Sequence, residues 1–298
     1  MKNTGSGIVA LLILQALWSE TSLSADPGNS KFKEEFSKQE AIYHGDEKRV
    51  AEGYTVDRSL SVYAEGLCSG FDRALANLGP NDRWLDVGAG KGLAVLDYYT
   101  PNYDLLHPEG RERRGKKAQA VAMSIEDRRT PLWQQSAESL GANQIQYLFN
   151  KRLREYSREE LGQFQLITDV MGGFSYTDNL SGFMEKVLGF LELKGSFYTL
   201  LQDVRSEAGT NRPFYAGAPY LTEIANADGS EVKMCSWLKS ISCVEVACEL
   251  KMDWKPPVEA YHVRKTCNEV AVPALVPINY EAGTPPQRRY QLKPQPKG

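Results

Sequence analysis

The sequence predicts an α/β domain in which a mostly parallel sheet is covered by helices on both faces. Three observations predict it. From residue 83 onward, short apolar runs alternate with amphipathic segments, the pattern of parallel strands joined through crossover helices. The first run, Arg83–Val87, leads directly into the glycine-rich turn Gly88-Ala89-Gly90-Lys91-Gly92, after which Leu93–Tyr99 begins a helix. The composition is that of a globular chain: of 298 residues, 42% are hydrophobic and 24% charged. That excludes collagen, coiled-coil and wholly disordered classes and allows one large domain or two small ones. With 35 Lys and Arg against 38 Asp and Glu, the net charge is −3, so no nucleic-acid partner is expected.

The chain opens with a segment set apart from the fold. Lys2 is the only charged residue before Glu20, residues 8–18 are an almost unbroken apolar run, and small residues lead to Ala25. This is the layout of a secretory signal peptide over residues 1–25. A spanning helix needs roughly 18 to 20 apolar residues, so the run is short for one. The protein is expected to be exported, periplasmic or secreted; the alternative is a membrane tether through an uncleaved segment. Export makes one or two disulfides plausible among Cys235, Cys243, Cys248 and Cys267, with the pairing open. The odd cysteine, Cys68, lies in an apolar helical pattern and is expected to be a buried thiol. No Cys-x-x-Cys occurs and the histidines are His44, His107 and His262, so no metal site is expected.

Residues 26–52 read as a polar lead-in with Phe32 and Phe36 as anchors. The main domain follows over 53–270. Residues 59–78 place Val62, Leu67, Phe71, Leu75 and Leu78 near one helical face, and Gly79-Pro80-Asn81-Asp82 ends that helix. Residues 118–125 form a strand ending in Glu126-Asp127, and residues 133–140 a helix closed by Gly141. A strand over 145–149 comes next, then a capping box at Ser157-Arg158-Glu159-Glu160. Phe164–Val170 is a strand that runs into Met171-Gly172-Gly173. A helix over 179–193 turns at Lys194-Gly195 into a strand over 196–201. Residues 202–230 read as a loop or cap, and 231–241 as a helix. Residues 243–250 and Val258–Lys265 pair as antiparallel strands, with His262 in a structural role. Residues 271–298 are a proline-rich basic tail, expected to be mostly disordered from 281 onward. The basic run over 111–117 reads as a solvated loop.

The spacing of the glycine turn carries the chemistry. It is G-x-G-x-G, with an acid two residues ahead, rather than the G-x-G-x-x-G of dinucleotide sites. No G-x-x-x-x-G-K-[ST] phosphate loop occurs either. Leu85-Asp86-Val87-Gly88-Ala89-Gly90-Lys91-Gly92 resembles motif I of the class I S-adenosylmethionine-dependent methyltransferases, and the likeness extends over residues 50–265 as element order. It implies a Rossmann-like, doubly wound α/β fold whose mostly parallel seven-stranded sheet has an antiparallel last strand. It implies S-adenosylmethionine as cofactor and a methyl acceptor of unknown class.

By that resemblance Asp86 holds the cofactor's amino group, and the backbone of Val87, Gly88, Ala89, Gly90 and Gly92 approaches its methionine portion. Glu126, or Asp127 beside it, takes the ribose hydroxyls, by the same logic as the acid of dinucleotide folds. Asn150 stands near the adenine, where many members carry Gly-Asp. Tyr54 closes over the cofactor. Asp169 ends the fourth strand at the motif IV position beside the transfer site; it is a cofactor-binding and catalytic candidate. Tyr176 is a second catalytic candidate, orienting the substrate. The Pro-Pro signature of amino-methylating relatives that act on nucleic acids is absent. The alternative function is an exported, non-catalytic module that keeps the fold.

Overall fold

The computed structural model describes residues 58–100, 118–141, 143–201, 221–253, 257–281 and 287–294. The expectations for residues 1–52, for Tyr54, for the basic run 111–117 and for 202–220 fall outside the described residues.

Among the described residues the main sheet has seven strands in the order β3-β2-β1-β4-β5-β9-β8. These are β1 Arg83–Val87, β2 Gln119–Met123, β3 Ile145–Leu148, β4 Phe164–Val170, β5 Leu191–Leu201, β8 Val244–Lys251 and β9 Val258–Lys265. β1 to β5 pair in parallel. β9 runs antiparallel to both β5 and β8. This is the doubly wound, Rossmann-like arrangement with an antiparallel last strand that the sequence predicts. Strand order reverses between β1 and β4, the switch point where such sheets open a crevice at their carboxyl ends.

Helices cover both faces: α1 Leu60–Gly66, α2 Phe71–Ala76, α3 Leu93–Tyr99, α4 Pro131–Leu140, α5 Arg158–Leu161, α6 Gly173–Tyr176, α7 Leu180–Phe190 and α8 Met234–Lys239. Strand periodicity divides the core between them. Leu85 and Val87 of β1 pack with Phe183, Met184 and Val187 of α7. Trp84 packs on the other face, with Leu60 and Tyr63 of α1 and Val95 of α3. α4 starts where the Thr130 hydroxyl accepts from Trp133 N–H at 3.1 Å. α7 starts where the Asn179 side-chain oxygen accepts from Gly182 N–H at 2.9 Å. The Ser157–Glu160 capping box forms as expected, with Ser157 N–H donating to Glu160 Oε2 at 2.7 Å.

Four expectations need correction. The single helix over 59–78 is two helices, broken at Gly70 with φ 97°, a left-handed conformation that glycine adopts without steric cost. Lys194-Gly195 does not separate helix from strand. It lies inside β5 as a bulge, Lys194 taking φ 68° while the pairing with β4 shifts register. The loop over 202–230 contains β6 Leu221–Ala225. The tail is not disordered where it is described: β10 Leu275–Glu281 and β11 Gln287–Leu292 join β6 and β7 Glu231–Val232 in a second sheet, ordered β10-β11-β6-β7. Burial alternates along β11, with Arg288 and Tyr290 buried and Arg289 half exposed. The inward residue Arg288 is charged, which hides the strand from a search for apolar alternation.

The second sheet packs on the α7 side of the domain. Ile224, Leu275 and Tyr290 share the core of Phe183 and Val187. Leu275 N–H donates to the Ser181 hydroxyl at 2.7 Å, and the Trp237 indole to the Pro273 carbonyl at 3.0 Å. Cys235–Cys248 ties α8 to β8, and Cys243–Cys267 ties the two ends of the β8–β9 hairpin. Cys68 is a buried free thiol. No helix of the described residues is long and apolar enough to cross a membrane.

Candidate functional site

The carboxyl ends of β1, β2, β3 and β4 surround a cavity of about 550 Å³, within the range of small-molecule sites, roughly 300–1,000 Å³. Val87 and Gly88 reach it from β1, Ser124 and Ile125 from β2, and Lys151 from β3. Gly172 and Gly173, which follow β4, form another wall, and Tyr176 and Phe183 come from α6 and α7.

The glycine turn is shaped by its backbone. Gly88, Gly90 and Gly92 have φ of 73°, 57° and 74°, conformations that residues with a Cβ rarely adopt. A Cβ on Gly88 would lie 2.5 Å from the Gly172 Cα, and one on Gly92 would lie 2.7 Å from the Trp133 indole nitrogen. The turn is therefore pressed between the loop after β4 on one side and α4 on the other. Ala89 N–H donates to the Met123 carbonyl at 2.9 Å, and the Gly90 carbonyl accepts from the Tyr147 hydroxyl.

Ala89, Gly90, Gly92, Glu126, Asp127 and Asn150 do not line the cavity; of the expected cofactor residues, Val87 and Gly88 do. Asp86 does not. It lies one residue from Val87, so it faces the opposite side of the sheet. There it is fully buried. It accepts from the Tyr63 hydroxyl at 3.1 and 3.0 Å and from the Thr168 hydroxyl at 2.7 Å. The Trp84 indole in turn donates to Thr168 at 2.8 Å. Asp86 thus fixes β1 to α1 and β4 beneath the turn. Burial pushes its carboxyl up to about 7, against the lowering effect of the Thr168 and Tyr63 hydrogen bonds. Burial, with the Asp86 charge beside it, pushes the Tyr63 hydroxyl well above its ordinary value.

Asp169 is also fully buried. Its Oδ1 accepts from Gly172 N–H at 3.0 Å and its Oδ2 from Phe174 N–H at 3.1 Å. Burial pushes this carboxyl up to about 7, while those backbone donors pull it down. The arrangement holds the Gly172–Gly173 wall in place, so Asp169 acts as a positioning residue and does not line the cavity. Tyr176 does line it.

Glu126 sits just past β2, half-buried, with Arg128 at 3.5 Å. Asp127 is exposed and held by Arg129 at 2.6 Å; the hydrogen bond from Arg129 pulls its carboxyl down. Asn150 is exposed at φ 66° and donates its N–H to the Ile125 carbonyl at 3.2 Å.

Several residues of the site escape a sequence reading. Tyr63 and Thr168 come from elements whose polar members look like ordinary surface positions. Arg288, from β11, is 1% exposed. Its Nε donates to the Thr222 hydroxyl at 2.7 Å, and another nitrogen to the Thr177 carbonyl at 2.9 Å. Its third nitrogen has no hydrogen-bond partner among the described residues. Tyr290 donates to the same Thr177 carbonyl at 2.8 Å. The second sheet is therefore anchored to the residue that follows α6, at the edge of the cavity.

No family model matches the chain, and no curated protein matches it. Among solved structures, it is similar to an rRNA methylase from Streptococcus thermophilus at 11% identity. That match covers 72% of this chain and 100% of that one, with a TM-score of 0.40. It is similar to precorrin-6y C5,15-methyltransferase from Geobacter metallireducens at 12% identity, over 65% of this chain and 87% of that one, with a TM-score of 0.37. It is also similar to a geranyl diphosphate methyltransferase at 13% identity, with a TM-score of 0.30. There the match covers 43% of this chain and 41% of that one, so this chain spans less than half of that enzyme's length.

Proposed function

We propose that the chain is an S-adenosylmethionine-dependent methyltransferase. One observation supports this most: the cavity at the switch point, walled by the carboxyl ends of four parallel strands and entered by the Gly88 turn. The residues present fit such a cofactor. Glu126, half-buried just past β2 and beside the cavity lining at Ser124 and Ile125, is a carboxylate suited to accept from two ribose hydroxyls. Val87–Gly88 and Gly172–Gly173 offer backbone without side-chain bulk. When bound, the cofactor supplies a methyl group on a sulfonium, which an acceptor's lone pair takes as the carbon–sulfur bond breaks and a neutral thioether departs. Tyr176 stands on the cavity wall to orient the acceptor, and much of the rate comes from such positioning.

Export is part of the proposal. It rests on the signal-like residues 1–25 and is supported by the two disulfides, which belong to oxidising compartments. The same disulfides favour a second reading, an exported binding module without transfer, because S-adenosylmethionine is made in the cytosol. A thermal-shift comparison tests the first reading. S-adenosylmethionine and its demethylated product raise the melting temperature, as a ligand of the native state must, and the nicotinamide dinucleotide does not. Equal shifts with all three would contradict it.

A further inference from the structure

The part of the cavity farthest from the glycine turn has a chemistry of its own. Its floor is apolar: Leu153, Phe183 and Phe190 line it and are all buried. Its rim is basic. Lys151, Arg152, Arg154 and Arg158 come from the segment after β3, and Lys186 comes from α7. Glu185 is the one acid among the described lining residues. Lys151 is shared with Glu160 at 3.0 Å, and Lys186 donates to the Tyr156 carbonyl at 2.8 Å. Glu155, Glu159 and Glu160 lie on the same segment, but among the described residues that line the cavity five side chains are basic and one is acidic, around an apolar floor, in a chain whose net charge is −3. Local charge against the sign of the whole molecule focuses an attractive field on anions.

A glycine adds an independent observation. Gly189 is in the last turn of α7, on the face that lines the cavity. A Cβ placed there meets nothing within 4 Å, so packing does not require glycine. Glycine inside a helix is about 1 kcal/mol less favourable than alanine. Its presence keeps this wall open.

Resting on the methyltransferase reading, we propose that the acceptor is a small anionic amphiphile: a carboxylate or phosphate head held by the basic rim, with an apolar body between α7 and residues 151–158. The charged head steers entry, and the apolar floor provides the affinity.

The test is calorimetric titration of the full chain with decanoate, decyl phosphate, decanol and decyltrimethylammonium, each below its micelle concentration. Both anions are expected to bind, decanol at least tenfold more weakly, and the cation not at all. The double variant Arg154→Glu, Arg158→Glu loses at least tenfold in decanoate affinity. Gly189→Leu, built into open space, keeps or raises the melting temperature and abolishes binding. Decanol binding as tightly as decanoate, or charge reversal without effect, would overturn the proposal. S-adenosylmethionine titrated in parallel separates the two readings. If the cofactor binds and the anions do not, the acceptor proposal fails alone. If the anions bind and the cofactor does not, the methyltransferase reading fails and an anion-binding module remains.

Discussion

Gly88 and Gly172 meet backbone to backbone: a Cβ on Gly88 would sit 2.5 Å from the Gly172 Cα, and a Cβ on Gly172 would sit 2.6 Å from the Val87 carbonyl oxygen. This contact joins the turn after β1 to the loop after β4 and sets the base of the cavity. Both alanine variants therefore destabilise, by overpacking that costs about 1–3 kcal/mol. Gly88→Ala carries in addition about 1–2 kcal/mol for a left-handed backbone, since Gly172 has φ −106° and escapes that strain. Urea denaturation should order the variants wild type, Gly172→Ala, Gly88→Ala, from most to least stable. Alanine at either position without loss would show that the loops are not in contact.

The buried carboxylates give the protein a pH signature. Asp86 and Asp169 are each pushed up to about 7 by burial, whereas an unfolded aspartate titrates near about 3.9. A raised folded value means the native state holds its protons longer than the unfolded chain. The contribution is fully present below about 4 and is lost as pH rises to about 7. Asp86→Asn removes one of the two and flattens the stability profile across that window. An unchanged slope between pH 4 and 7 in the variant would contradict the assignment.

Arg288 pins β11 to the cavity edge through Thr177 and Thr222. Arg288→Met keeps the bulk and removes hydrogen bonds from a charged donor worth about 1.5–3 kcal/mol each. Part of that loss is offset by no longer burying a guanidinium, so a net loss of about 2 kcal/mol is expected. Amide exchange over residues 287–292 should speed up more than exchange in β1 or β4. The Asp169 titration should also move up, because the Arg288 charge holds it down.

The two disulfides close loops with sequence separations of 13 and 24. Loop-closure entropy assigns each about 3 kcal/mol. Reduction at neutral pH should lower the melting temperature, and β8 with α8 should open first. Retention of the full melting temperature after reduction and alkylation would show that the bridges do not stabilise this end of the sheet.

The sheet could be read from the sequence because each strand from β1 to β5 carries a local signal, a short apolar run, closed by glycine after β1 and by an acid after β2. Phe164–Val170 is read to the residue from its apolar run, and Val258–Lys265 from its alternation. What escaped is decided by tertiary partners. Arg288 becomes a core residue only because Thr177 and Thr222 receive its guanidinium, and no local pattern announces those partners. Lys194-Gly195 carries turn chemistry that the sheet absorbs as a bulge. Asp86 carries the right identity in the right motif, yet strand periodicity turns it away from the cavity and toward Tyr63. The motif reaches the cavity at Val87 and Gly88, while burial and strand phase turn its acid away.

The most direct test of the central claim is calorimetric titration of S-adenosylmethionine and its demethylated product into the protein and into Glu126→Gln. The account predicts micromolar binding of both by the wild type. It predicts roughly tenfold weaker binding by the variant, equivalent to about 1.4 kcal/mol, with the melting temperature unchanged. No heat of binding from folded wild-type protein, or equal affinity in the variant, would contradict it.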